Sequence, residues 1–328
     1  MPIARAHALL LPGLGVATLC ALFVWSVFVG VSNISLATLL ASGWADTQVQ
    51  VLFESRVPRT LALVLAGAAM AVAGTILQMI VRNRFAEPST VGTAEAAKLG
   101  FLLALIFVPD ASIALRLVAA TVVALLVTAI FLRILRHTSL QSPLIVPLVG
   151  ILLGGVINAA ATFIAYRYDL LQSLATWSSG DFSMILRGRY ELLWLALGMT
   201  VIAYIYADRF TVAGMGENFT TNLGLNYRAV VALGLVIVAV VTAVVIATAG
   251  MILFLGLVVP NLVSLVMGDN VRRALPWVAL LGAVLVLVCD ILGRIVNAPY
   301  EIPVGTMLGA VASGLFLYLL LRKNAHLT

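Results

Sequence analysis

The sequence is poor in charge. Only 10% of its 328 residues are Asp, Glu, Lys or Arg, 63% are hydrophobic, and the mean hydropathy is +1.15. A soluble domain carries about 25% charged residues. A chain this oily cannot clothe itself in a wetted surface, so its solvent is largely lipid. Lysine is almost missing: of 19 basic residues only Lys98 and Lys323 are lysine, and no basic cluster alternates with aromatics. That excludes a nucleic-acid surface. The two cysteines, Cys20 and Cys289, both fall inside apolar runs without CxxC spacing. A disulfide framework and a thiolate zinc site are excluded with them, and two small buried hydrophobes are left. His7, His137 and His326 lie near the chain ends or in a connection, so none is placed to ligate haem or relay protons at depth.

Catalytic signatures are missing too. Neither lysine follows a glycine, so no GxxxxGK[ST] loop exists to cradle nucleotide phosphates. HExxH, GxSxG and paired aspartates are absent from the apolar runs. The expectation is a chain that is not an enzyme and that binds no metal and no cofactor of its own. Acidic residues at depth are scarce. Asp290 is the clear case, and Arg294 follows it at the i, i+4 spacing that lets the two pair on one helix face. A proton-coupled carrier would show several buried acids.

What the chain does have is long apolar runs. They fall at Leu9–Gly30, Val57–Ile80, Val91–Val108, Ser112–Leu132, Pro143–Ala165, Tyr190–Ala207, Arg228–Ala249, Ile252–Met267, Ala274–Val296 and Pro303–Leu321. Most have the length of about 17–25 residues that crosses a bilayer as helix. The fold class is therefore an all-α membrane protein, a polytopic bundle of about ten transmembrane helices. The first run is longer than a signal-peptide core and reads as a retained helix. The Ile252–Met267 run is short and holds Gly256 and Pro260, which marks it as tilted, broken or sheltered by neighbours. Connections are short, so no soluble domain is inserted and residues 1–328 read as a single transmembrane domain. With the N-terminus inside, twelve of the 19 basic residues fall on the cytoplasmic side and seven outside, which favours this orientation. An even number of spans then puts both termini in the cytoplasm. The seven outer arginines include Arg56 and Arg59, which flank Pro58 where a span begins, against the usual bias.

Four segments carry a family resemblance. "RVPRTLALVLAGAAMAVAGTILQ…RNRFAEPSTVG", "MGENFTTNLGL" (Met215–Leu225), "GMILFLGLVVPNLVSLVMGDNVRRALP" (Gly250–Pro276) and "EIPVGTMLGAVASGLFLYLLLRK" (Glu301–Lys323) occur in this order. Together they resemble the FecCD-type permeases, the membrane subunits of ABC importers for iron–siderophore complexes, haem and vitamin B12. The resemblance implies a multi-pass protein of the bacterial inner membrane that moves an iron–siderophore complex by alternating access. Cobalamin or haem is the alternative cargo, and an ion-coupled secondary transporter the alternative mechanism. It implies as partners a second permease subunit, of the same or a sister chain, a cytoplasmic ABC ATPase dimer that holds the ATP and Mg, and an extracytoplasmic substrate-binding protein. Lipid surrounds the whole.

The resemblance also assigns residues. Arg56, Arg59 and Arg294 are implied to receive carboxylates of the binding protein, a task that suits the planar guanidinium fork. The competing account is that they snorkel to headgroups or cap neighbouring helix ends. Gly216, Glu217, Leu223 and Gly224 belong to the implied ATPase-coupling segment at 208–227, where Thr220 replaces the usual alanine. Asn83 and Phe85 mark an implied cytoplasmic gate, with Arg84 in place of the usual proline. Asn158 and Thr162 are read as pathway-lining, although their glycine-rich surroundings equally suit helix packing. Glu95 and Lys98, at i, i+3, are placed to pair, and their segment looks like that of the catechol-type siderophore subgroup.

Overall fold

The structure is a computed structural model that describes the backbone of residues 2–29, 47–137 and 145–324. The side chains of Arg5, His7, Arg136, Arg322 and Lys323, and all of His326, lie outside the described set. In order, the helices are α1 (Pro2–Phe28), α2 (Thr47–Val51), a π-helical turn (Leu52–Arg56), α3 (Val57–Val81), α4 (Thr93–Phe107), α5 (Ile113–His137), α6 (Ile145–Arg167) and α7 (Leu171–Ser179). They continue as α8 (Leu193–Ile205), α9 (Ala207–Gly214), α10 (Glu217–Asn222), α11 (Tyr227–Ala249), α12 (Leu255–Met267), α13 (Val271–Val296) and α14 (Val304–Asn324). The all-helical, membrane-type architecture read from the apolar runs is therefore what the chain adopts.

Five helical stretches among the described residues are long and apolar enough to cross a bilayer: 49–81, 113–135, 145–167, 227–249 and 271–296. The run expected as a span at Tyr190–Ala207 holds α8, of 13 residues, and ends where α9 turns away from it by 65°. Shorter apolar helices cover 13–28, 255–267 and 304–315. The connections are also less plain than their polarity suggests. Residues 166–189 contain α7, and the run expected to open at Val91 starts its helix only at Thr93.

The bundle is organised around α3. Its most apolar stretch is 83% buried, and α13, α12, α11 and α8 all pack against it. In lipid no hydrophobic force separates a helix from its solvent, so close backbone approach must supply the association. Gly67 faces Gly282 across the α3–α13 crossing, and a Cβ at Gly67 would stand 2.7 Å from the Gly282 carbonyl oxygen. Gly74 meets Gly256 across the α3–α12 crossing still more closely, with 2.1 Å to the Gly256 oxygen. Any side chain at either glycine would push the helices apart.

The short span is sheltered by its neighbours in a specific way. Pro260 lies inside α12 and has no N–H to offer the carbonyl of Gly256, four residues earlier. In a buried helix that oxygen would go unbonded at a cost of about 1–3 kcal/mol. The side chain of Gln78 on α3 fills the gap, its Nε2 donating to Gly256 O at 3.1 Å. The break before α12 also has its own supports. Gly250 takes φ +84° and Phe254 φ +60°, which turn the chain out of α11.

Candidate functional site

Arg56, Arg59 and Arg294 come together at one end of the bundle. α1 ends there, and its last carbonyls have no intrahelical partners. Arg56 Nη1 donates to the carbonyls of Val27 and Phe28 at 3.1 and 3.2 Å. Arg294 Nη1 donates to those of Ser26 and Val29 at 3.0 and 2.8 Å, and its Nη2 reaches Ser26 Oγ at 2.6 Å. Two guanidinium groups thus cap one helix, where the negative end of its dipole favours cations. Arg59 has other partners. Its Nε and Nη2 both donate to Asp290 Oδ1, at 3.1 and 2.7 Å, and its Nη1 to Glu301 Oε2 at 2.7 Å.

The expected Asp290–Arg294 pair forms, through Oδ2 and Nη2. Its extension to Arg59, 231 positions away, carries no local signal in the sequence. Asp290 is fully buried, Arg59 is 11% exposed and Glu301 30% exposed. All three arginines are turned inward in this conformation. The capping alternative accordingly describes Arg56 and Arg294.

Residues 207–227 occupy the opposite end of α13, where Arg272 Nη1 donates to Asp208 Oδ2 at 2.7 Å and Val271 N to Thr211 Oγ1 at 3.2 Å. The segment is an elbow of two short helices, α9 and α10, with glycines at its joints. Gly216 takes φ +112° and Gly224 φ +77°, conformations that L side chains rarely adopt. Glu217 sits in the first turn of α10, where negative charge is favoured, and makes no side-chain cap. Thr220, the residue in place of alanine, is buried without penalty because its hydroxyl reaches Gly216 O at 2.7 Å and Val212 O at 3.1 Å. Phe219 on α10 and Leu223 at its end, at i and i+4, are 47% and 57% exposed, and Met215, just before the Gly216 joint, is 56% exposed. Leu223 was singled out in the sequence. Met215 and Phe219 were not, although the i, i+4 spacing of Phe219 and Leu223 was a signal available for Phe219.

Residues 82–92 form an irregular buried strap between α3 and α4. Asn83 Oδ1 accepts from Phe85 N at 2.8 Å and so shapes the turn that a proline would otherwise set. Arg84, in the proline's place, pairs with Asp269 at 2.8 Å, and its carbonyl accepts from Asn261 Nδ2 at 2.8 Å. Asn83 is buried and Phe85 half-buried.

Glu87, which sequence reasoning passed over, is buried in this strap. Its Oε1 accepts from Phe254 N at 3.0 Å and from Ser89 Oγ, so it caps the start of α12. Asp290 is thus not the single buried acid. Burial pushes the Glu87 carboxyl up to about 7, against the lowering effect of bonds from Ser89, Phe254 and Leu257, and Glu95 adds to the rise. The folded chain therefore keeps this proton to higher pH than the unfolded chain. Stability falls as pH rises from the ordinary carboxylate value of 4.5 to about 7 and levels off above it. The effect is on the order of 3 kcal/mol across that window. Glu87→Gln is expected to flatten the slope of melting temperature against pH in detergent. A variant whose slope matches the parent's would count against this role.

Lys98 and Glu95, expected to pair, form no ion pair. Lys98 Nζ reaches Ser178 Oγ on α7 at 3.1 Å, and Glu95 Oε2 is buried without a hydrogen-bond partner. Asn158 and Thr162 lie on an exposed face of α6, the Thr162 hydroxyl bonding back to Asn158 O at 2.8 Å.

Comparison with known proteins places these features. The profile of the FecCD transport family matches residues 18–322. The petrobactin import system permease protein YclN of Bacillus subtilis (strain 168) is 48% identical over 305 residues, covering 93% of this chain and 96% of its own. The ferric-anguibactin transport system permease protein FatD of Vibrio anguillarum is 41% identical over 308 residues, with the same two coverages of 93% and 96%. Among solved structures, a metal-chelate type ABC transporter in an inward-facing conformation superposes with a TM-score of 0.80. It covers 95% of this chain and 99% of its own at 23% identity, a likeness of fold.

Proposed function

This chain belongs to the FecCD transport family, and we propose that it is the permease subunit of a binding-protein-dependent ABC importer for an iron–siderophore complex. The observation that carries the reading is near-full-length agreement with relatives named as petrobactin and ferric-anguibactin permeases. The chain is a multi-pass membrane transport subunit and not an enzyme. Its proposed place is the bacterial inner membrane, with the 207–227 elbow in the cytoplasm and the arginine cluster outside.

In this reading each end of the bundle has a task. The elbow meets a cytoplasmic ATPase subunit, which holds the ATP and Mg. An exposed apolar stripe between glycine hinges supports that assignment, because such a stripe is stabilised by a partner's groove. Closure of the ATPase pair moves α10, and α9 passes the movement to α3, α11 and α13, against which it packs. Asn83 and Phe85 stand where the strap leaves α3 and are assigned to the inner gate. Asn158 and Thr162, on the uncovered face of α6, are assigned to the pathway, completed by a second permease subunit of the same or a sister chain. At the outer end a binding-protein carboxylate reaches Arg59 by displacing Glu301, the more exposed of its two acids, while Asp290 keeps its hold. Arg56 and Arg294 keep the platform in shape as α1 caps.

The test is reconstitution of this chain in vesicles with its cognate ATPase and binding protein. Uptake of a ferric siderophore should require ATP and survive collapse of the proton gradient, and haem and cobalamin should not be carried. Uptake by the chain alone, or uptake that an uncoupler abolishes while ATP depletion does not, would overturn the mechanism. Phe219→Asp with Leu223→Asp should weaken ATPase association about 30-fold, as loss of a buried apolar anchor does. Unchanged association would remove the elbow from the coupling interface.

A further inference from the structure

A groove of about 320 Å³ opens between α1, α12 and α13, with walls of Gly15, Leu262, Val266, Trp277, Leu281 and Val284. Its lining is apolar apart from Thr18, whose hydroxyl bonds back to Leu14 O at 2.9 Å, and it leads outward to the side of the bundle, where Val266 is 87% exposed. Gly15 lets α1 close upon Leu280, since a Cβ there would lie 2.5 Å from its Cδ2. Along α13 the lining residues Trp277, Leu280, Leu281 and Val284 continue one stripe at i+4, i+7, i+8 and i+11 from Arg273. Arg273 is exposed and its guanidinium makes no hydrogen bond or ion pair among the described residues. Two other arginines at this end are neutralised, Arg272 by Asp208 and Arg84 by Asp269.

The order along the stripe is cation, indole, then aliphatic slot. In a bilayer that order matches phosphate, glycerol region and acyl chain, with tryptophan at the depth it favours. The mouth lies at the end that carries the 207–227 elbow, because Val271 and Arg272 bond to Thr211 and Asp208. An unneutralised guanidinium above an apolar slot favours an anionic headgroup by about 1 kcal/mol, or roughly fivefold. We propose that this groove holds an acyl chain of an anionic phospholipid from the leaflet facing the elbow, with its phosphate beside Arg273. The inference is independent of which cargo the chain carries.

Trp277 reports on it directly. The chain is reconstituted with phospholipids brominated along the acyl chain, which quench indole fluorescence on contact, and the Trp277 signal is isolated by difference from Trp277→Phe. Brominated phosphatidylglycerol should quench Trp277 at a roughly fivefold lower mole fraction than brominated phosphatidylcholine. Arg273→Gln should bring that ratio close to one while quenching itself persists. Absence of quenching by either lipid would mean that the slot is empty or covered by a second copy of the chain, and would overturn the proposal. So would equal quenching by both lipids in the parent, or a preference that survives Arg273→Gln.

Discussion

Exchange of Asp290 for alanine is expected to cost the folded chain about 3–5 kcal/mol, the usual penalty for removing one partner of a buried ion pair. Asp290 is fully buried and accepts from Arg59 at 3.1 and 2.7 Å through one oxygen and from Arg294 through the other. Without it two guanidinium groups face each other with only the partly exposed Glu301 to offset them. The repulsion falls where Arg294 also caps α1, so the joint between α1, α3 and α13 loosens together. The melting temperature in detergent and the yield of membrane-inserted chain should both drop. Arg187→Ala is the control. Its pair with Glu54 is 3.2 Å long with both side chains more than half exposed, and such pairs are worth about 0–1 kcal/mol. Replacing Asp290, Arg59 and Arg294 together by apolar residues should recover part of the loss, because an apolar set avoids stranded charge. If Asp290→Ala melts like the parent, the network is not what holds this end.

A methyl group at Gly74 should be nearly as damaging. Its Cβ would stand 2.1 Å from the Gly256 carbonyl oxygen and 2.3 Å from the Gly256 Cα. Both are backbone atoms, so no rotamer change relieves the clash and α12 must move away from α3. Overpacking that side chains can absorb costs about 1–3 kcal/mol, and this case belongs at or above the top of that range. The move would also strain two bonds next to the contact, Gln78 to Gly256 O at 3.1 Å and Phe254 N to Glu87 at 3.0 Å. Gly74→Ala is therefore expected to lower the melting temperature despite the gain of about 1 kcal/mol that alanine brings to a helix interior. It should also abolish uptake, because α12 adjoins the strap that carries Asn83 and Phe85. Gly198→Ala, in α8 with nothing within 4 Å of the added methyl, should be neutral or slightly stabilising. Equal melting of the Gly74 and Gly198 variants would show that the α3–α12 contact yields more easily than its geometry implies.

Much of the scaffold was legible along the chain. Runs of apolar residues anticipated α3, α5, α6, α11 and α13 to within a few residues, because hydropathy and helical length are local quantities. The glycine-punctuated segment at 208–227 was readable for the same reason, since φ above zero at Gly216 and Gly224 is a property of single residues. The site charges were read less well. The spacing of Glu95 and Lys98 suggested a pair, yet Lys98 turns to Ser178 on α7, 80 positions on. Nothing near Glu87 in the sequence marks it, and only the arrival of Phe254, 167 positions away, makes it a buried cap. The role of Gln78 depends on Pro260, 182 positions away, which leaves the Gly256 carbonyl free to accept from it.

Composition alone determined that this chain lives in lipid as helices, because its apolar surface has no other tolerable solvent and the backbone within lipid must bond to itself. Local motifs determined which family it resembles. Which charges meet was decided by the tertiary structure. Arg59 finds Asp290 and Glu301, and Arg56 and Arg294 find the end of α1, across more than two hundred positions in the longest cases. The reason is range: electrostatic and hydrogen-bond energies act over a few ångströms of space, and a linear sequence holds no record of distance between residues far apart along it.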